Sequence, residues 1–291
     1  MERNWRLIID GACPAASNMA IDEAILMACL SGEAPPTLRL YRWRKPAISL
    51  GFFQDLYRAH MDIEYCQDAG IELVRRPTGG RAVLHGHDLT FSVILGIQHL
   101  PESASDILGS HRWLMSGIVA GLQSLGIQAQ IGEVISGTRP GMPSADCFAH
   151  TAECDIHVGQ EKIAGAAQVR RNDFLLEQGS IPCRAPLVDP GKVFRGRNPN
   201  PPDLLSDIPA GDIENAIVTG FRDDLSVEFT EGVLSEYEND IVSKLENDKY
   251  SLADWTFRRS TVRIDNSFCG CYTNSESLRG GRYHAEENPR R

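Results

Sequence analysis

The sequence predicts a mixed α/β (α+β) domain, and three observations carry that reading. Short runs with strand-like patterning lie far apart in the chain, helices with an apolar stripe are interspersed among them, and no internal repeat is present. Taken in order, residues 5–9 (Trp-Arg-Leu-Ile-Ile) read as a strand. A helix is predicted over 17–31, because Ile21, Ala24, Ile25, Ala28 and Cys29 recur at i, i+3, i+4, i+7 and i+8. Ser17 or Asn18 would cap it, and Asp22 and Glu23 would suit the positive end of its dipole. Cys29 falls on the stripe and reads as a core thiol. Residues 37–43 alternate as a half-buried strand, and 47–53 form another after the Lys45-Pro46 turn.

Residues 71–75 read as a short strand running into Pro77-Thr78-Gly79-Gly80, and 89–95 as a strand rich in Thr, Phe, Val and Ile. A helix over 105–125 is stopped by Gly126. Strands are expected at 154–158, 162–166 and 173–176, and helices at 213–221 and 234–245. The stretch 195–209, rich in Pro and Asn, reads as a loop. Beyond Arg259 the chain is polar and aperiodic, so residues 1–259 are expected to form one domain and 260–291 an appended tail.

Composition narrows the function classes. The 291 residues are 42% hydrophobic and 23% charged, with a formal net charge of -10. That charge argues against a long nucleic-acid groove. No apolar run approaches the ~20 residues that span a bilayer, and Met1 to Trp5 lack the apolar core of a secretory signal. A cytoplasmic protein with no nucleic-acid or membrane partner is expected. Arg75, Arg76 and Arg81, and again Lys192, Arg195 and Arg197, cluster in sequence and could dock acidic partners; solvated surface charge is the plainer reading of any one of them. The eight cysteines show no C-x-x-C, and Cys269-Gly-Cys271 is too tight for usual zinc spacing, so reduced thiols and no metal are expected.

Two segments could carry chemistry. The first is Arg75-Arg76-Pro77-Thr78-Gly79-Gly80-Arg81-Ala82-Val83-Leu84-His85, whose paired glycines could bring backbone N–H groups to a carboxylate, phosphate or oxyanion. By itself Gly-Gly between strands is more often a turn. The second is Asp146-Cys147-Phe148 followed by Lys162-Ile163-Ala164-Gly165-Ala166-Ala167-Gln168. A cation near a thiol lowers its pKa and makes it a nucleophile. From spacing alone, a core thiol and an exposed lysine remain the plainer readings, and Cys154 is a rival that fits a strand core position. His85, His87 and His157 lack a clear third ligand and read better as structural histidines than as a metal site.

In order along residues 4–259, several blocks resemble one family. They are Asn18-Met19-Ala20-Ile21-Asp22-Glu23-Ala24, Thr37-Leu38-Arg39-Leu40-Tyr41, Ser49-Leu50-Gly51-Phe52-Phe53-Gln54, the arginine-glycine loop, Cys147-Phe148, Lys162 through Arg170, Gln178-Gly179-Ser180-Ile181 and Trp255-Thr256-Phe257-Arg258-Arg259. The chain is similar to the biotin/lipoate protein ligase and transferase superfamily, and within it to the cysteine-dependent octanoyltransferases of the LipM type. The resemblance implies a single catalytic domain with a mixed β-sheet flanked by helices, monomeric and without cofactor. It implies octanoyl-acyl carrier protein as donor and a lipoyl-domain lysine, as in the glycine cleavage H protein, as acceptor. Cys147 would form the acyl-enzyme and Lys162 would favour its thiolate. The acyl chain and its carbonyl would lie among Arg76, Thr78, Gly79, Gly80, Arg81, Ala82, Val83 and His85 on one side and Gly165, Ala166, Ala167 and Gln168 on the other. Two blocks depart from the family pattern: Gly165-Ala166-Ala167-Gln168 stands where Gly-Ser-Ala-Gln is expected, and Gln178-Gly179-Ser180 where His-Gly-Ser is common.

Three rival readings use the same segments. An amidotransferase moving octanoyl between lipoyl domains would use the same cysteine and lysine. An ATP-dependent lipoate ligase would not need Cys147, and such enzymes often carry an accessory C-terminal domain for which the remainder here looks too short. A catalytically silent carrier-binding scaffold would need neither residue.

Overall fold

The computed structural model describes residues 4–55, 61–132, 154–195 and 203–259. The elements in chain order are β1 (Asn4–Cys13), α1 (Ala15–Leu30), β2 (Thr37–Trp43), β3 (Ala47–Leu50), α2 (Ile63–Asp68), β4 (Glu72–Arg75), β5 (Val83–His85), β6 (Asp88–Gly96), α3 (Ile107–Ser124), β7 (Gln130–Ile131), β8 (Ile156–Val158), β9 (Glu161–Arg171), β10 (Phe174–Pro182), α4 (Pro190–Val193), α5 (Ala210–Leu225), β11 (Glu228–Glu231), α6 (Glu236–Leu245) and α7 (Ala253–Arg258).

The strands form a large sheet ordered β11-β1-β2-β6-β10-β9-β8-β7 and a small one ordered β4-β3-β5. The large sheet is mixed: β1 runs parallel to β11 and β2, and every later neighbour is antiparallel. Parallel β1 and β2 need a crossover, and α1 supplies it. The α/β expectation therefore holds, with the parallel part confined to one end.

Register decides what each face of the large sheet carries, because residues directly opposite share a face. Tyr41, Thr90, Ser180 and Gly165 form one cross-strand row, and Arg39, Ser92, Gln178 and Ala167 the next. This face lies under α1. The other face carries Leu38, Leu40, Phe91 and Val93, buried against Leu114, Met115 and Ile118 of α3 and Ile217 and Phe221 of α5. Those helices approach closely through small residues: a Cβ on Gly220 would lie 2.2 Å from the Gly117 carbonyl oxygen.

Helix α1 departs from its predicted form. Thirteen of its sixteen residues are buried, so it is an interior helix and not a one-stripe surface helix. Pro14 occupies the N-cap and no side chain caps it. Asn18 instead donates to the Arg42 carbonyl at 3.0 Å. Asp22 and Glu23 face cations from distant segments and not the helix dipole. Asp22 pairs with Arg39 at 2.7 Å and accepts from Tyr41, Ser92 and Gln178. Glu23 pairs with Lys249 at 2.5 Å and Arg171 at 2.9 Å. Local periodicity carries no record of such partners.

Other boundaries shift for local reasons. Strand β3 stops at Leu50, three residues early, because Gly51 packs so tightly on Gly80 that a Cβ there would lie 1.9 Å from the Gly80 oxygen. Cys154 is buried as expected, but with φ 71° it sits in a turn before β8 and not in a strand. Gly126, at φ 83°, follows the end of α3 as a left-handed stop. Ser235 and Glu238 form a capping box that starts α6.

The C-terminal elements clasp the middle of the chain. Trp255 Nε1 donates to the Arg75 carbonyl at 2.9 Å, and Arg75 Nε donates to the Thr256 carbonyl at 2.9 Å. The Arg75 guanidinium also reaches the carbonyls of Gly51, Phe52 and Gln54. Arg75 and Arg76 are buried, which overturns both their solvated and their docking readings. Residues 260–291 and Arg197 lie outside the described residues, as do Cys269 and Cys271.

Candidate active site

Between the α1 face of the large sheet and the small sheet lies a slot. The large sheet contributes Tyr41, Trp43, Thr90, Gln178 to Ser180 and Gly165 to Ala167; the small sheet contributes Ser49, Val83 and His85; Met19 comes from α1. Arg76 and Gly80 close one side. Of the predicted residues, Arg76, Gly80, Val83 and His85 from one segment and Gly165 to Ala167 from the other thus face one space.

Arg76 shapes the glycine loop. Its guanidinium donates to the Ser49 carbonyl at 2.7 Å and to the carbonyls of Gly79 and Arg81 at 2.6 and 2.7 Å. Those bonds fold the loop around the cation, with Gly80 at φ 85°, a conformation glycine adopts without cost. Thr78 is buried and donates to Gln178 Oε1 at 2.8 Å, and Gln178 donates to Asp22 Oδ2 at 2.6 Å. The glutamine that departs from the family pattern therefore ties the loop to α1. Arg81 is exposed, and Ala82 belongs to the core beneath the small sheet.

On β9, Lys162 is buried and its ammonium lies 2.9 Å from the carboxylate of Asp155, also buried. The pair sits directly above Gly165: a Cβ there would come within 2.8 Å of Lys162 Nζ and 2.9 Å of Asp155 Oδ1. Only glycine leaves room for this charge beside the slot. Gln168 lies elsewhere, donating to Glu177 at 2.8 Å and to Ser110. Glu177 also pairs with His111 at 2.5 Å, a contact outside hydrogen-bond geometry. Burial opposes charge on His111, yet the carboxylate raises its pKa above the ordinary value. Cys147 lies outside the described residues.

His85 is held at both nitrogens, 2.7 Å from Asp88 and 2.8 Å from Ser49, and stacks on Trp43 at 4.0 Å. Burial raises the Asp88 pKa, but His85 and donors from Gly86 and Ser180 outweigh it and bring it down to about 2. His87 is exposed, and His157 is buried with Nε2 unpartnered. Among the described residues no group of three or more His, Cys, Asp or Glu could hold a metal ion, and no helix is long and apolar enough to cross a membrane.

Sequence reasoning missed Asp155, Tyr41, Trp43, Ser49 and Thr90. The alternation over 37–43 shows that Arg39, Tyr41 and Trp43 share a face, but not that this face lines the slot. Asp155 carries no local signal, since its partner lies across a hairpin.

A sheet-lined slot with a buried lysine–aspartate pair at its edge defines the class, and comparison with known proteins agrees. The model of the lipoyl protein ligase A/B catalytic domain family matches residues 14–203. Octanoyltransferase LipM of Carboxydothermus hydrogenoformans is 35% identical, covering 87% of this chain and 98% of its own. Octanoyltransferase LipM of Moorella thermoacetica is 37% identical, covering 88% and 98%. This chain belongs to the octanoyltransferase LipM family within the lipoyl ligase fold. A bi-partite lipoate protein ligase from Thermoplasma acidophilum, solved in a study with its E2 lipoyl domain, is similar in structure, with TM-score 0.70 and 27% identity over 91% of this chain and 100% of that one. Because that ligase chain is matched over its full length, length alone does not set ligases apart from this chain.

Proposed function

We propose that the chain transfers an octanoyl group from octanoyl-acyl carrier protein to the lysine of a lipoyl domain, in lipoate biosynthesis, through a thioester on Cys147. Octanoyl transfer is the activity for which its 31–37% identical relatives are named. The observation that carries the reading is the apolar slot ending beside the Lys162–Asp155 pair.

The chemistry balances without ATP. The Cys147 thiol loses its proton and the sulfur attacks the thioester carbonyl. The carbon–sulfur bond to the carrier breaks, and the carrier leaves as a thiol with that proton. The acceptor lysine then attacks the new thioester. It arrives as an ammonium and sheds two protons, one to the departing Cys147 sulfur and one to solvent. A Lys162 ammonium held by Asp155 favours the Cys147 thiolate and relays the amine proton. Backbone N–H groups near Gly79, Gly80 and Gly165 stabilise the oxyanion, each worth roughly 3 kcal/mol. Three of the other thiols are poorly suited to the role. Burial pushes Cys29 up to about 12 and Cys66 and Cys183 up to about 11, values that suit core thiols and not nucleophiles.

The test is intact mass after mixing wild type and Cys147→Ala with octanoyl-acyl carrier protein, without ATP. One octanoyl adduct on wild type alone, discharged by a lipoyl domain, is expected. Acylation only with ATP and free acid would replace this reading with a ligase. Donation from an octanoylated lipoyl domain in preference to the carrier would replace it with an amidotransferase.

A further inference from the structure

Two adjacent glycines impose no shape of their own, so the form of the Gly79–Gly80 turn has to come from its neighbours. Thr78, just before the pair, carries two anchors. Its carbonyl accepts from the Phe52 N–H at 2.8 Å, and its hydroxyl donates to Gln178 Oε1 at 2.8 Å. Arg76 holds the Gly79 carbonyl at 2.6 Å. A trans peptide points its N–H opposite to its C=O. Fixing the Thr78 and Gly79 carbonyls on Phe52 and Arg76 therefore turns the N–H groups of Gly79 and Gly80 away from those two donors. Across the slot, Ala167 stands against Gly80: a Cβ on Gly80 would lie 3.7 Å from the Ala167 Cβ. Ala167 follows Gly165 on the same face of β9, and the Lys162–Asp155 pair stands over Gly165.

The Thr78 hydroxyl is the anchor that reaches the opposite wall. Gln178 belongs to β10 and is buried. The Asp22 carboxylate only accepts, so the Gln178 amide nitrogen faces it, 2.6 Å from Oδ2, and the amide oxygen is left for Thr78. An amide supplies this one donor and one acceptor without charge. A methionine would supply neither, and a glutamate would set a second carboxylate against Asp22. Asp22 is held independently by Arg39 at 2.7 Å, Tyr41 at 2.9 Å and Ser92 at 2.8 Å. The far end of the link is thus fixed to β2 and β6. A relay runs from Asp22 on the interior helix α1, through Gln178, to the peptide that enters the glycine pair.

We propose that Gln178 is a positioning residue for acyl transfer: acting through Thr78, it fixes the direction of the Gly79 and Gly80 N–H groups that meet the developing oxyanion. The inference rests on the acyl-transfer reading and adds the residue that keeps its oxyanion donors in place. The experiment measures acyl-enzyme formation from octanoyl-acyl carrier protein by quenched intact mass. It compares wild type, Gln178→Met, Thr78→Val, Thr78→Ser and the double variant Gln178→Met/Thr78→Val, with each rate taken per folded molecule from a urea titration. Asp22 keeps its Arg39, Tyr41 and Ser92 partners in all of them, so the variants should fold. Gln178→Met and Thr78→Val should each slow acylation roughly 10–100-fold, a share of the 10²–10³ that outright removal of an oxyanion donor costs. The half-saturating donor concentration should stay unchanged. The double variant should be no slower than the slower single, because both changes cut one link. Thr78→Ser, which keeps the hydroxyl, should recover most of the rate that Thr78→Val loses. Losses that multiply in the double variant, or a Thr78→Ser as slow as Thr78→Val, would overturn the relay. So would a raised half-saturating concentration at an undiminished maximal rate, which would make Gln178 a contact for the acyl chain. A wild type that forms no acyl adduct without ATP would overturn the acyl-transfer reading itself, a different result.

Discussion

The two faces of the large sheet are built from the same strands yet differ in kind. The face under α3 and α5 presents Leu38, Leu40, Phe91 and Val93 to two helices that meet through glycine, and it carries one buried charge pair, Glu177 of the interior strand β10 with His111. The face under α1 presents Arg39, Ser92, Gln178, Thr90 and Ser180, all buried and hydrogen-bonded. A dry face supports the fold through area removed from water. The polar face costs desolvation and recovers it only because each group has its partner. One strand register thus separates a structural side from a chemical side, and a one-residue slip would exchange them.

The sharpest way to test this contrast is to damage each face once. On the chemical side, Lys162→Met is expected to lower acyl transfer by roughly 10²–10⁴-fold in steady-state assays. It should also destabilise, because Asp155 keeps a buried charge without its lysine. Adding Asp155→Asn should restore stability, read by urea titration, and leave activity low. Recovery of activity in the double variant would show that the pair is structural. On the dry side, Phe221→Ala should cost about 3–5 kcal/mol in the same titration, with the activity of the remaining folded protein little changed. A large fall in turnover per folded molecule would break the division between faces.

A smaller effect separates the faces by acid. The folded Asp88 pKa is about 2 against an ordinary 3.8. A depressed carboxylate pKa stabilises the fold fully above the ordinary value and loses that contribution as pH falls from about 4 to 2, about 2 kcal/mol in all. Asp88→Asn should flatten the fall in stability across that window. An unchanged pH slope would mean that another carboxylate governs it.

How much of this was legible in the sequence follows the same division. Alternation in residues 37–43 and the Gly126 stop were readable because they are local. The glycine loop and Lys162 were singled out as candidates by their residue types, and the ordered motifs that resemble a family set them above a turn and a surface lysine. Asp22 and Glu23 were misread as dipole partners, since their cations, Arg39, Lys249 and Arg171, arrive from other strands and from the C-terminal helices. Asp155 and Ser49 went unseen for the same reason: each gains its role from a residue that only the folded hairpin or the facing small sheet brings near.

The clasp between Arg75 and the Trp255–Thr256 turn bears on how the protein is made. Its two sides are separated by 181 residues along the chain. At a synthesis rate of about 5–20 residues per second, the segment that clasps Arg75 emerges roughly 10–35 s after Arg75 itself. During that interval Arg75 leaves the ribosome before its last carbonyl partner exists. Nascent chains arrested ahead of Trp255 would therefore leave Arg75 without its Thr256 and Trp255 bonds, which makes this clasp one of the last contacts formed in biosynthesis.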